Sequence, residues 1–137
     1  MNPELRAAFR ESLKSAKSHY SDRNYEAAFA SLETAHILGQ QFLLPHIVVH
    51  VWMMRVGAAR RDRREVIGQI TRLIATVPGF ILGWVPLGNT GGANVSALKP
   101  MPVPYELSTL VPRQNLLRIL SIRVLIASGI ALTLSNL

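Results

Sequence analysis

Cysteine is absent from the 137 residues, which excludes a disulfide framework, a thiolate metal site, a thiol nucleophile and an iron–sulfur cluster. Any metal bound by this chain must be held by nitrogen and oxygen. Acidic side chains are scarce, 8 against 15 Lys and Arg, and aspartate occurs only at Asp22 and Asp62. Both aspartates lie in turn-like stretches, and no serine sits in a Gly-x-Ser-x-Gly setting, so neither a Ser-His-Asp hydrolase nor a paired-carboxylate acid–base site has support. The opening stretch, Met1 to Tyr20, mixes charge with small apolar residues and holds no continuous apolar run. It is not a secretory signal, which implies a cytoplasmic address.

What is present describes one folded domain. Apolar residues make up 49% and charged residues 17%, with mean hydropathy +0.23, on the oily side of globular and far from disorder. The length allows one core and excludes a multi-domain enzyme. A net charge of +7 and a pI near 10.8 point to an anionic neighbour.

The hydrophobic period predicts four helices. Leu5, Phe9 and Leu13 form one stripe over residues 3–20, with Asn2 as N-cap and Pro3 in the first turn. A second helix is expected from Asn24 to Leu38, with Tyr25, Ala28, Phe29, Leu32, Ala35 and Ile37 inward and Gly39 as its stop. Pro45 opens a third through Arg60, expected to be the most buried. Asp62 caps a fourth from Arg63 to Thr76, ended by Pro78-Gly79. The fold class is therefore mainly α: two helical hairpins, in a four-helix or tetratricopeptide-like arrangement. The likeness to tetratricopeptide repeats is loose, since Tyr25 and Arg63 occupy equivalent places 38 apart, against a usual period of ~34.

Helical periodicity stops in the Gly/Pro-rich segment 79–112, where Gly88 to Asn94 is turn chemistry and Lys99 to Pro104 must be extended. A stretch of that kind inside a compact domain is often functional. Residues 1–112 thus form a helical domain, and 113–137 a C-terminal apolar helix that either belongs to it or extends it. The apolar run after Arg123 is shorter than the ~20 residues that cross a bilayer, so a docked helix is preferred to membrane contact.

The constellation richest in chemistry lies on the second and third helices. Glu33 and His36 are three apart, and His46 and His50 four apart, so each helix offers two ligands from one face. Antiparallel pairing across the short connection sets Glu33 opposite His50 and His36 opposite His46. Three imidazoles and a carboxylate suit one divalent transition metal: zinc, nickel, cobalt, iron or copper. Gln40 and Met53 extend the same stripes as supporting residues. The alternative is structural, with histidines and glutamate satisfying one another across a helix seam. Ile47, Val48 and Val49 stand between the last two histidines, so the zinc-protease glutamate is missing.

A second candidate is an anion-binding loop made of Gly88, Asn89, Thr90, Gly91, Gly92 and Asn94, with Lys99 adding charge. It lacks the Gly-Lys-Ser/Thr ending of a Walker loop, and a structural loop packed on the helices is the favoured reading. Arg60, Arg61, Arg63 and Arg64 cluster at a helix turn with no aromatic residues between them, which argues against sequence-specific nucleic-acid binding. His19 stands alone beside Tyr20 and carries no role.

The phrases Ala35 to Gln40, Pro45-His46 with His50, and Gly88 to Ser96 followed by Pro100-Met101-Pro102-Val103-Pro104 resemble a small bacterial family, domain of unknown function family 3703, over roughly residues 5–105. The resemblance implies a small helical protein without an assigned activity, of a kind encoded beside heavy-metal resistance genes. Two readings follow. One is a metal-binding protein for sensing, buffering or delivery, with Glu33, His36, His46 and His50 as ligands. The other is a helical interaction module for an acidic protein partner, with structural histidines and with homo-oligomerisation left open. Binding is favoured over catalysis in both.

Overall fold

The computed structural model describes residues 1–112 together with 121, 124, 125, 128, 129, 132 and 133. The expected C-terminal helix from Gln114 onward lies for the most part outside the described residues. Among these residues there is no strand, and four α-helices have defined bounds: α1 (Pro3–Ser21), α2 (Tyr25–Gly39), α3 (Leu43–Ala59) and α4 (Arg63–Leu82). The chain is mainly α. α1 packs on α2, α2 on α3, and α3 on α4.

The two hairpin turns share one construction. Asn24 and Asp62 each cap the following helix through a side-chain oxygen, to the N–H of Ala27 and Glu65. The residue before each cap, Arg23 and Arg61, is left-handed with φ 58°. Each cap also returns its own N–H five residues back, to His19 and Gly57. The turns therefore repeat 38 residues apart, the spacing that separates Tyr25 from Arg63.

Leu5, Phe9 and Ala16 from α1, Ala28, Leu32, Ala35, Ile37 and Leu38 from α2, and Val49, Met53 and Val56 from α3 make the apolar core. Val111 closes it from the end of the irregular segment, where the Gln41 side chain also donates to the Pro112 carbonyl. α2, rather than α3, is the most buried element: every residue from Ala35 to Gly39 is inside. Leu44 and Val48 of α3 are exposed instead. Gly39, the last residue of α2, is required by packing, since a Cβ there would lie 2.7 Å from the Phe9 ring.

α4 departs furthest from expectation. It runs through Pro78 to Leu82 and is closed by left-handed Gly83, whose neighbour Trp84 donates to the Gly79 carbonyl. Pro78 has no N–H to return to the carbonyl of Ile74, yet the helix continues past it for one further turn. Its buried residues are Glu65, Gln69 and Thr76, whereas Ile67, Ile74 and Ile81 are 62%, 73% and 51% exposed. By length and composition alone, α4 is long and apolar enough to cross a membrane.

Candidate metal centre

His36 arrives near the C-terminal end of α2, and His46 and His50 come from successive turns of α3. All three are buried, and their rings pack edge-on or tilted with centroids 4.6–4.8 Å apart. The contact atoms are the Nε2 nitrogens: His50 Nε2 lies 3.3 Å from His36 Nε2 and 2.9 Å from His46 Nε2. These three residues form the one group of possible metal ligands that converges among the described residues.

The far side of two rings is pinned. His36 Nδ1 lies 2.8 Å from the Asn89 carbonyl, and His50 Nδ1 lies 2.6 Å from Gln69 Oε1. The Gln69 amide orientation is set by its nitrogen, which donates to Glu65 Oε1 and to the Gly91 carbonyl. Both acceptors are oxygens without protons, so in both rings Nδ1 carries the hydrogen and Nε2 keeps its lone pair. His46 Nδ1 has no partner. At most one proton, on His46 Nε2, is therefore available to three converging nitrogens, and it can serve only one of the two contacts.

The rings are held neutral. Burial first, and then mutual repulsion with the other two rings, keeps His36 well below the ordinary imidazole value. Burial takes His46 down to about 3 and His50 to about 4, the latter opposed by its bond to Gln69. Neutral imidazole is the form that coordinates a metal without first losing a proton.

The glycine segment is the centre's outer wall. Gly91 is left-handed, with φ 85°, and a Cβ on it would stand 2.6 Å from the His36 ring, so only glycine lets the backbone pass so close. Gly88 is also left-handed, and a Cβ there would strike the Met101 carbonyl. Asn89 staples the loop, donating to the carbonyls of Ser96 and Lys99 and accepting from the Gly91 N–H. Part of the loop's backbone is engaged with α4: Ala93 N–H goes to Glu65 Oε2, and the Gly92 and Val95 carbonyls accept from Arg72.

The sequence-derived ligands divide three to one. His36, His46 and His50 meet, with His36 touching both partners rather than His46 alone. Glu33 is half-buried and faces Thr90 and Glu65; burial holds its carboxyl above the usual range, with the Thr90 side chain acting against that. Met53 supports the centre through its sulfur, 3.6 Å from the Gln69 amide nitrogen. Gln40 is buried and donates to the Ile37 carbonyl. Sequence reasoning missed Glu65, Gln69, Arg72 and the Asn89 carbonyl. The first three were detectable as polar residues at helical spacing, with Thr76, along one face of α4.

No curated protein and no solved structure matches this chain. Residues 3–111 match the family described as a protein of unknown function, DUF3703, a span that includes all four helices, the three histidines and every residue that orients them. The chain belongs to that family.

Proposed function

We propose that the protein binds one divalent first-row transition metal ion through Nε2 of His36, His46 and His50, and exchanges it in a buffering or delivery role. The observation that carries this reading is the tautomer conflict. Two Nε2 lone pairs are fixed toward a third nitrogen by the Asn89 and Gln69 oxygens, and one proton cannot satisfy both. A cation accepted by all three removes the conflict. Nitrogens bound to tetrahedral zinc at ~2.0–2.1 Å stand about 3.3–3.4 Å apart, so the pair at 3.3 Å is already spaced for it. The His46–His50 pair, at 2.9 Å, needs to open by roughly half an ångström, within the reach of His46, whose Nδ1 nothing holds, and the third pair, His36–His46, lies within 4.8 Å. Hydrogen bonds behind His36 and His50 are the usual means by which ligating imidazoles are oriented.

Elemental analysis of tag-free protein, followed by zinc, nickel, cobalt and copper titrations after chelator treatment, tests the reading. One equivalent, lost in His36→Ala and His50→Ala but kept in His19→Ala, supports it. No binding of any of the four ions sinks it.

A second reading, the helical interaction module, draws on a different observation. Ile67, Ile70, Ile74, Val77 and Ile81 are all exposed along α4 at alternating spacings of three and four, the pattern of a seam between packed helices. Light scattering over a range of concentrations tests self-association through this face. A mass above the monomer that falls to the monomer in Ile74→Glu favours it, and a monomer at every concentration removes it.

A further inference from the structure

The three imidazoles are not sealed over. They form the floor of a cavity of about 150 Å³, whose sides include Arg72 of α4 and whose rim carries Trp84 and Leu98, 55% and 71% exposed. Resting on the metal reading above, we propose that the ion's remaining coordination position opens into this cavity and takes a small organic monoanion, a carboxylate with a compact apolar body.

Coordination number supplies the first argument. Three protein ligands leave at least one position of a tetrahedral ion unfilled, the arrangement of sites that admit an exchangeable ligand rather than of closed structural ones. No fourth carboxylate or imidazole joins the group among the described residues. Glu65 is committed through both oxygens, to Gln69 and to the Ala93 N–H, and Glu33 faces Thr90.

Charge supplies the second. Three neutral imidazoles leave a divalent ion with its full charge, and no carboxylate lines the cavity. Arg72 adds a cation to the wall. Its Nη2 donates to the Gly92 and Val95 carbonyls and its Nη1 to the Gly68 carbonyl, which holds the guanidinium in the wall, where its charge acts as a field alongside that of Glu65. An anionic head is the ligand these charges select.

Size and lining supply the third. The volume is about half that of the smallest drug-sized pockets, ~300 Å³, so the ligand is small. Between metal and solvent it meets Pro78, Trp84, Pro86 and Leu98, with little to hydrogen-bond a polar tail. The body behind the carboxylate is therefore apolar.

Cobalt-loaded protein tests this, because the visible bands of Co(II) respond when an added ligand enters its coordination sphere. Benzoate, acetate and benzamide are the probes. Benzoate and acetate are expected to cause the same spectral change, with benzoate about tenfold tighter because it buries apolar surface in the cavity. Benzamide, without the charge, is expected to cause none. Trp84→Ala and Leu98→Ala should bring benzoate affinity toward that of acetate and leave cobalt affinity unchanged. An unaltered spectrum in saturating benzoate with one cobalt bound overturns the inference and leaves the metal reading standing. Equal affinities for acetate and benzoate overturn the apolar-body assignment, and an equal response to benzamide overturns the charge assignment. Failure to bind cobalt or any other metal overturns both readings together.

Discussion

α1 and α4 are the two outer helices, of nearly equal length at 19 and 20 residues, and they are attached in opposite ways. α1 turns Leu5, Phe9 and Ala16 inward and leaves its charges in water. α4 turns Glu65, Gln69 and Thr76 inward and leaves isoleucines outside. Apolar burial, worth roughly 25 cal/mol per Å², holds the first. Directed hydrogen bonds to a histidine ring and to the Gly91–Val95 backbone help hold the second. Individual bonds of this kind contribute only about 1 kcal/mol net, yet leaving a buried partner unpaired costs more. α1 is fastened for stability, and α4 is fastened so that particular atoms stay in particular places.

Substitutions on the two helices should therefore separate stability from metal affinity. Leu5→Ala is expected to cost about 2–5 kcal/mol in denaturant unfolding, while metal affinity of the folded protein stays at the wild-type level. Gln69→Leu strands the His50 Nδ1–H, one Glu65 oxygen and the Gly91 carbonyl. It should cost about 1–3 kcal/mol and also weaken zinc binding by about 10–100-fold, measured by chelator competition. If Gln69→Leu lowers stability but not affinity, the contrast between the helices fails. Gly91→Ala should lower both quantities by a different route, at about 1–3 kcal/mol of backbone strain, by pressing a methyl group into the His36 ring.

Acid sharpens the contrast without mutation. The histidines titrate near 6.5 when unfolded and far lower when folded, to about 3 for His46 and about 4 for His50. Across that window the unfolded chain holds more protons, so their contribution is complete above about pH 6.5 and is lost as pH falls, toward about 4 for His50 and about 3 for His46. Chelator-treated protein should lose up to about 1.4 kcal/mol per pH unit for each such histidine. A triple His→Ala variant that still folds should show a flatter profile. The smallest effect is expected at Ile74→Thr, within about 0.5 kcal/mol of wild type for the monomer, because that side chain supports nothing inside.

Most of this fold was legible because helices are written locally. Asn2 and Asp62 announced two N-termini through the oxygen that each places on a backbone N–H, and Asn24, expected as the first residue of the second helix, proves to cap it in the same way. The histidines were legible through spacing, since positions four apart on α3 must share a face. Glu33 was misjudged for a geometric reason: three residues advance a helix by about 300°, not a full turn, so Glu33 points to one side of His36. The side that it faces is occupied by Thr90, and the loop's course could not be read from Glu33's own helix. α4 shows the complementary difficulty. Its polar and apolar residues recur at helical spacing, but which face goes inward depends on hydrogen-bond partners 20–28 residues downstream, and no periodicity encodes those.

The bond from His36 to the Asn89 carbonyl joins residues 53 apart, whereas each helix packs on its neighbour in the chain. Local contacts form early in folding, and distant ones close late because the loop entropy must be overcome first. The bond from His36 to the loop is thus expected to close after the hairpins, and contacts made after the rate-limiting step govern how slowly a protein comes apart. A bound ion held by α2 and α3, and tied to the glycine loop only through the bond behind His36, would act chiefly as a latch, lengthening the lifetime of the folded chain more than it changes its rate of formation.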